Sequence, residues 1–232
     1  MERIINFLKD LIAPKKCYSC KKEWHFLCEK CLEKIWFFSS ICPVCKKKSK
    51  NFEVCLSCKE KVFYDKMIIL THYQNKIIKK LIKDAKFYQK KDILKDFGVY
   101  LWKKLLQNIK ENKENIVLVS TPMFFLKKFF KWYNQSQILA KSIAEIFWIE
   151  YNFQILKKTK NTKSQSHLSR EERLENLKNV FVLNENKLKN YKNKVFIIVD
   201  DVVSTWSTIN EISKLLKNAW IKKVYGLCIA SD

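Results

Sequence analysis

The chain has 232 residues, of which 47% are hydrophobic, so its length allows one large domain or two smaller domains with a substantial core. No stretch approaches the roughly 18 consecutive apolar residues of a membrane span, which excludes an integral helical membrane protein. Residues 1–12 show an amphipathic pattern without the apolar region and cleavage site of a signal peptide. The sequence therefore predicts a cytoplasmic protein.

The net charge is +23, from 46 basic and 23 acidic residues. Such an excess favours an anionic partner, either nucleic acid or a phosphorylated substrate. The basic residues are nearly all lysine, however, and an A/T-rich genome also fills protein surfaces with lysine. The charge alone leaves both explanations open.

Eight of the nine cysteines form four Cys-x-x-Cys pairs near the start of the chain. Two residues between thiolates let a tight turn direct both sulfurs at one ion, and two such pairs complete a tetrahedral site. Disulfides are disfavoured in a cytoplasmic protein, and a redox pair would be single. The pattern predicts two structural Zn²⁺ sites with the ligands Cys17, Cys20, Cys28, Cys31, Cys42, Cys45, Cys55 and Cys58.

The simplest arrangement joins consecutive pairs, although an interleaved arrangement is also compatible with the sequence. An all-cysteine site leaves no position for a bound water, so the zinc is expected to be structural rather than catalytic. His25 is an alternative ligand, but a solvated histidine beside the site is the simpler interpretation. Cys228 lies in the last apolar segment and is not expected to bind metal.

Beyond Cys58, strand and helix patterns alternate. Strands are predicted within 62–74, 115–123, 194–201 and 222–230, and helices over 75–87, 91–110, 134–147, 170–181 and 207–219. Asn134 is the predicted N-cap of its helix. This order predicts an α/β fold with a parallel sheet flanked by helices. We expect two domains, residues 1–60 and residues 61–232.

In such sheets ligands bind at the carboxyl ends of the strands, where Asp200, Asp201 and the loop 204–208 are expected. Adjacent carboxylates can accept hydrogen bonds from two sugar hydroxyls, and the first amides of the next helix favour a phosphate. Hydroxyls for the phosphate are available from Ser204, Thr205, Ser207 and Thr208. The pattern fits a ribose 5-phosphate pocket, and equally a helix N-cap beside an incidental acidic pair.

Four segments, in order, resemble the ComF family, which joins a double zinc ribbon to a type I phosphoribosyltransferase domain. The segments are "STPM" (120–123), "KWYNQSQILAKSIA" (131–144), "TKSQSHLSREERLENLKNVF" (162–181) and "VFIIVDDVVSTWST" (195–208). In the third segment the similarity is carried by Thr162, Gln165, Leu168, Arg173, Asn176 and Phe181. The resemblance covers nearly the whole chain.

The resemblance implies a site for 5-phosphoribosyl diphosphate (PRPP), with Asp200 and Asp201 as the catalytic residues that hold the ribose hydroxyls, and Mg²⁺ nearby. It places the 5-phosphate on the loop and the diphosphate near Ser120 and Thr121. The implied PRPP-binding set is completed by Val202, Val203, Ser204, Thr205, Trp206, Ser207 and Thr208. The family is linked to natural competence, so single-stranded DNA and DNA-translocation proteins are expected partners.

Two other functions fit the same residues. A non-enzymatic adapter would bind single-stranded DNA through its lysine-rich surface, with a vestigial PRPP pocket. Aromatic residues beside lysines in 124–133 are suited to stacking bases, although such spacing is more typical of a core. A nucleobase salvage phosphoribosyltransferase is the third interpretation, which the zinc ribbons disfavour.

The chain contains 2 glycines and 7 tryptophans, and several tryptophans stand where turns need glycine. These are Trp24, Trp132, Trp148, Trp206 and Trp220. The hypothesis that explains this coincidence is a genetic code in which UGA means glycine, here written as tryptophan. Trp36 and Trp102 show no such requirement. A divergent, inactive protein with bulky loops is the alternative.

Overall fold

The computed structural model describes residues 14–35, 39–87, 90–124, 133–161, 179–203 and 206–231. The helices α1 to α6 are Glu29–Lys34, Lys76–Phe87, Lys91–Leu106, Gln135–Phe147, Glu185–Leu188 and Ser207–Asn218. The strands β1 to β7 are Lys66–His72, Ile116–Ser120, Glu150–Tyr151, Leu156–Lys158, Phe181–Leu183, Val195–Val203 and Lys223–Ser231. Short 3₁₀ turns occupy Leu56–Lys61, Lys113–Asn115 and Lys189–Tyr191.

Five strands form a parallel sheet in the order β1-β7-β6-β2-β3. Its central strand β6 has a continuous apolar run, residues 195–199, that is buried along its whole length. Such a run is typical of a strand covered by structure on both faces. The sheet and its flanking helices confirm the predicted α/β fold of the type I phosphoribosyltransferase class.

Local patterns predicted most elements to within a few residues. The helix α4 begins after Asn134, whose side chain accepts a hydrogen bond from the Gln137 amide, as an N-cap does. The helix predicted over 170–181 lies mainly outside the described residues. Its last residue, Phe181, contradicts the prediction, because it pairs with Lys158 in the antiparallel β4–β5 pair.

The cysteine-rich segment packs directly against the sheet and its helices. The Tyr100 hydroxyl in α3 donates a 2.7 Å hydrogen bond to the Leu27 carbonyl, and the Met67 amide in β1 donates to the Phe52 carbonyl. Buried side chains of both parts, including Leu27 and Phe52, belong to one continuous core. The domain boundary at residues 60 and 61 stays a prediction.

Across the part of the chain described here, no helix combines the length and the apolar character needed to cross a membrane.

Candidate functional site

The eight N-terminal cysteines form two groups of four, Cys17 to Cys31 and Cys42 to Cys58, with all sulfurs of a group within 4.8 Å. The Sγ atoms of Cys20 and Cys28 are 3.6 Å apart, and those of Cys45 and Cys55 are 3.7 Å apart. A tetrahedral zinc with Zn–S bonds of about 2.3 Å separates its sulfurs by about 3.8 Å, whereas a disulfide bond measures about 2.05 Å. The groups therefore fit two structural zinc sites, and they join consecutive pairs.

The two groups are built alike. In each, the residue after the second cysteine, Lys21 or Lys46, has a positive φ, and its amide donates to the carbonyl of the first cysteine. This turn brings two sulfurs to the same side. His25 is exposed and is not in either group.

One thiol in each group has a pKa lowered to about 6, whereas burial raises the pKa values of Cys28 and Cys58 to about 11. Burial raises the pKa of Cys17, but hydrogen bonds from the amides of Cys20, Cys28 and Ser19 outweigh it and bring the pKa to about 6. At Cys55 the Ser57 hydroxyl is the largest cause of a pKa lowered to about 6. Each site therefore holds a thiolate near neutral pH, and the thiolate is the form that binds metal.

At the carboxyl edge of the sheet, three donors converge on one oxygen of Asp200 in β6. Asp200 Oδ1 accepts from Thr121 Oγ1 at 2.8 Å, from Ser136 Oγ at 2.7 Å and from the Asp201 amide at 3.0 Å. Thr121 follows β2, and Ser136 lies in the first turn of α4. Burial and the neighbouring Asp201 raise the pKa of Asp200 to about 6, although these hydrogen bonds oppose the shift.

Asp201 has a different partner. Lys86, in the last turn of α2, places its Nζ 2.6 Å from Asp201 Oδ2, and the Val202 amide donates to Asp201 Oδ1 at 2.9 Å. Burial lowers the pKa of Lys86, but attraction to Asp201 outweighs it and leaves the pKa above its ordinary value. The sequence analysis missed both Lys86 and Ser136, because nothing in their local spacing distinguishes them from neighbouring lysines and serines.

The structure brings the predicted diphosphate and ribose residues together. Ser120 and Thr121 are buried at the end of β2, and the Thr121 amide donates to the Val199 carbonyl of β6. Asn134 Nδ2 donates to the Thr121 carbonyl at 2.9 Å, which ties this turn to the start of α4. The other predicted residues within the described chain are Val202 and Val203 at the end of β6, and Trp206, Ser207 and Thr208 at the start of α6. Ser204 and Thr205 lie outside the described residues.

Trp206 is the N-cap of α6 and has a left-handed backbone, with φ 56° and ψ −10°. Its carbonyl accepts from the Asn210 amide, and its ring lies 4.7 Å from the ammonium of Lys46 in the second cysteine group. Asn210 Oδ1 in turn accepts from the Phe63 amide at 2.8 Å. The indole therefore contacts the cysteine-rich segment.

Three other tryptophans also have a backbone with positive φ. Trp24, Trp148 and Trp220 have φ values of 76°, 58° and 66°. After α6, the Trp220 amide donates to Lys217 and the Ile221 amide to Leu216, which is the Schellman arrangement that favours glycine. Side chains of Trp148 and Trp220 are 86% and 80% exposed, so packing gives no reason for a tryptophan at either position.

Of the two tryptophans without a predicted glycine requirement, Trp102 lies within the described residues and has a helical backbone. Trp102 is buried inside the helix α3 and stacks on Phe147, with 5.4 Å between ring centroids. Trp36 and Trp132 lie outside the described residues.

A basic cleft of about 420 Å³ lies at the opposite edge of the sheet, beside the second cysteine group. Acidic residues there are partly neutralised, since Glu111 pairs with Lys223 at 2.8 Å. Its lysines are Lys50, Lys59, Lys66, Lys110 and Lys223. Of the aromatic segment 124–133, Tyr133 is buried, which fits a core position, and residues 125–132 lie outside the described chain.

The phosphoribosyl transferase domain family matches residues 134–231, which span α4, the acidic pair, α6 and β7. Competence protein F of Haemophilus influenzae is 29% identical over 211 residues, covering 83% of this chain and 91% of that protein. The chain is therefore homologous to Competence protein F and contains a phosphoribosyl transferase domain. DNA utilization protein YhgH of Salmonella typhi is 34% identical over 113 residues, and that of Escherichia coli K12 is 32% identical; each match covers 48% of both chains. The domain match includes the sheet edge on which the acidic pair lies.

Proposed function

We propose that this chain is a ComF-type protein that binds PRPP with Mg²⁺ at the carboxyl edge of its sheet, as a phosphoribosyltransferase-type protein of natural competence. The observation that carries the proposal is the Asp200–Asp201 pair at the end of β6. Thr121 and Ser136 fix its first carboxylate, and the loop that follows it opens α6. A phosphoribosyl transferase domain match over the same residues supports it.

In this proposal the ribose hydroxyls donate to the two carboxylates, and the 5-phosphate lies on the first amides of α6. That helix start favours an anion through its N-terminal amides and its dipole. Bound Mg²⁺ supplies positive charge that offsets the diphosphate, and adjacent carboxylates are oxygen ligands suited to it.

The diphosphate lies against Ser120 and Thr121. Because Thr121 also donates to Asp200, the ribose and diphosphate subsites share one residue. A nucleophile attacks the anomeric carbon while the diphosphate leaves, and the chain contributes mainly positioning and electrostatic stabilisation.

We further propose that residue 206 is glycine in the cell, encoded by UGA. Nine described residues other than glycine have a positive φ, four of them are tryptophan, and no described glycine has one. A left-handed backbone costs about 1–2 kcal/mol for a residue with a side chain, whereas glycine adopts it freely. An indole at position 206 also occupies space close to the amides that would hold a phosphate.

The gene sequence tests this directly. TGA is expected at Trp24, Trp132, Trp148, Trp206 and Trp220, and TGG at the helical Trp102, which serves as an internal control. TGG at Trp206 and Trp220 would contradict the proposal.

PRPP binding is tested by calorimetric titration of three proteins in the presence of Mg²⁺. The Trp206→Gly protein is expected to bind PRPP, and the chain with Trp206 is expected to bind poorly. Adding Asp200→Asn and Asp201→Asn to the glycine version should remove most of the affinity. Equal affinity in all three proteins would show that neither this loop nor the acidic pair binds the ligand.

A specific observation also favours single-stranded DNA as a partner, and with it the alternative of a DNA-binding adapter. The basic cleft presents the exposed side chains of Lys50, Lys59 and Lys110 on one surface, away from the PRPP site. Lysines along a groove suit the phosphates of a flexible strand. Names of the relatives, Competence protein F and DNA utilization protein, support a role in DNA uptake or use. Loss of PRPP binding with retention of DNA binding would favour the adapter.

A further inference from the structure

We propose that Lys86 binds the diphosphate of PRPP: its ammonium pairs with Asp201 in the free protein and moves to the diphosphate when the ribose hydroxyls occupy Asp201. The inference rests on the proposed PRPP function and assigns a residue to one part of that ligand. Lys86 belongs to α2, which lies outside the matched phosphoribosyl transferase domain.

The Lys86–Asp201 ion pair is short, and its carboxylate is largely buried while its lysine is partly exposed. The Nζ–Oδ2 distance is 2.6 Å, and the Asp201 side chain is only 13% exposed. Removing the Asp201 carboxylate from water carries a desolvation cost that offsets the attraction, so such a pair is weak evidence for a role in stability. The Lys86 side chain is itself 32% exposed, which leaves its long stem room to turn towards the edge of the sheet.

The chemistry of PRPP places the diphosphate near this ammonium. Its diphosphate is attached to the carbon next to the one that carries the 2-hydroxyl, so a carboxylate that accepts from the ribose hydroxyls lies close to the leaving group. Asp200 is bound to Thr121 on one side, and Lys86 approaches Asp201 from the helix α2. The ammonium therefore lies beside the acidic pair that the proposal assigns to the ribose, within reach of the adjacent diphosphate.

A lysine suits this exchange. Its ammonium is a compact charge on a flexible stem and binds phosphate as a point charge, without a fixed fork geometry. Attraction to Asp201 keeps the pKa of Lys86 above its ordinary value, so the side chain is charged at neutral pH. When ribose hydroxyls take the place of the ammonium at Asp201, the diphosphate supplies the new partner.

The test compares two ligands in the Trp206→Gly background. PRPP carries the diphosphate, and ribose 5-phosphate lacks it. Lys86→Met is expected to weaken PRPP binding by about tenfold or more, because a charge-assisted contact is lost. Ribose 5-phosphate should bind no more weakly to Lys86→Met, since it makes no diphosphate contact and no longer has to displace the ammonium from Asp201. Lys86→Arg should retain much of the PRPP affinity.

Lys83→Met is the matched control, because Lys83 is exposed on the same helix and three residues away. It should leave both affinities unchanged. Lys86→Gln removes the charge while keeping a polar side chain, and it provides the same comparison if the methionine variant does not fold. Circular dichroism confirms that each variant is folded.

The outcomes separate the two proposals. Equal losses for PRPP and ribose 5-phosphate in Lys86→Met, or no loss for either, would overturn the role of Lys86 alone. No PRPP binding by the Trp206→Gly parent would overturn the proposed function and this inference with it.

Discussion

The ammonium of Lys46 lies over the ring of Trp206, 4.7 Å from its centroid, so the second cysteine group contacts the residue that begins α6. A second link lies one turn further along the helix, where Asn210 accepts from the Phe63 amide. The Asn210–Phe63 contact does not involve the indole, so it links this helix to the segment just after Cys58 whether residue 206 is tryptophan or glycine.

Metal analysis of protein purified without chelator is expected to give close to two zinc equivalents per chain. Cys20→Ser and Cys58→Ser each remove one ligand from a different group, so each should lower the content to about one. Zinc removal should also lower the thermal midpoint, because binding to a small site contributes directly to folding free energy. A content near zero, or ribbons that remain folded in strong chelator, would rule out this role.

Features set by short stretches of sequence could be predicted, and features set by long-range contacts could not. The zinc ligands follow from Cys-x-x-Cys spacing, and the Asn134 cap from its place before an apolar helix. Glycine-requiring turns at Trp148 and Trp220 were recognisable because a helix ends at each. By contrast, Lys86 reaches Asp201 across 115 positions of the chain, and only the packing of α2 against the sheet brings them together.

Replacing Trp220 by glycine is expected to stabilise the protein by about 1 kcal/mol, because it relieves a left-handed backbone at an exposed position. Trp102→Gly should do the opposite and cost about 3–5 kcal/mol, since it removes a buried side chain from a helix interior. Chemical denaturation of both variants measures the difference. A destabilising effect of Trp220→Gly would contradict the glycine requirement at that turn.

The half-buried acid Asp200 should make stability depend on pH. Its pKa in the folded protein is raised to about 6, against about 4 for an unfolded aspartate. Its favourable contribution is therefore complete below about pH 4 and is lost as the pH rises through about 6. Asp200→Asn should change stability little at pH 4 and raise it by about 3 kcal/mol at pH 8, since each pKa unit corresponds to about 1.4 kcal/mol.

Asp92 provides a control, because its contribution to stability changes with pH in the opposite direction to that of Asp200. Burial raises its pKa, but Lys95 and Lys15 outweigh burial and leave it below the ordinary value. Its stabilising contribution is present above about pH 4 and is lost as the pH falls. Asp92→Asn should therefore destabilise at pH 8, and denaturation at both pH values distinguishes the two variants. A stabilising effect of Asp200→Asn that is the same at pH 4 and pH 8 would show that ionisation is not its cause.

Binding of single-stranded DNA is expected to weaken steeply with salt, because lysines that contact phosphates release counterions. If several phosphates are contacted, affinity should fall by orders of magnitude between about 50 and 200 mM salt. The basic cleft predicts where the contacts lie. Replacing Lys50, Lys59 and Lys110 by glutamine should lower the slope of log affinity against log salt by about 2, at roughly 0.7 per phosphate on a single strand.

The matched control replaces three exposed lysines outside the cleft, Lys30, Lys34 and Lys160, and removes the same net charge. A lower slope in the cleft variant alone would show that the single-stranded DNA binds in the cleft. A general charge effect would instead lower the slopes of both variants equally. Equal slopes in the two variants would instead make the binding a property of the net charge of +23. Affinity that does not respond to salt, or no binding at low salt, would attribute the lysine excess to genome composition.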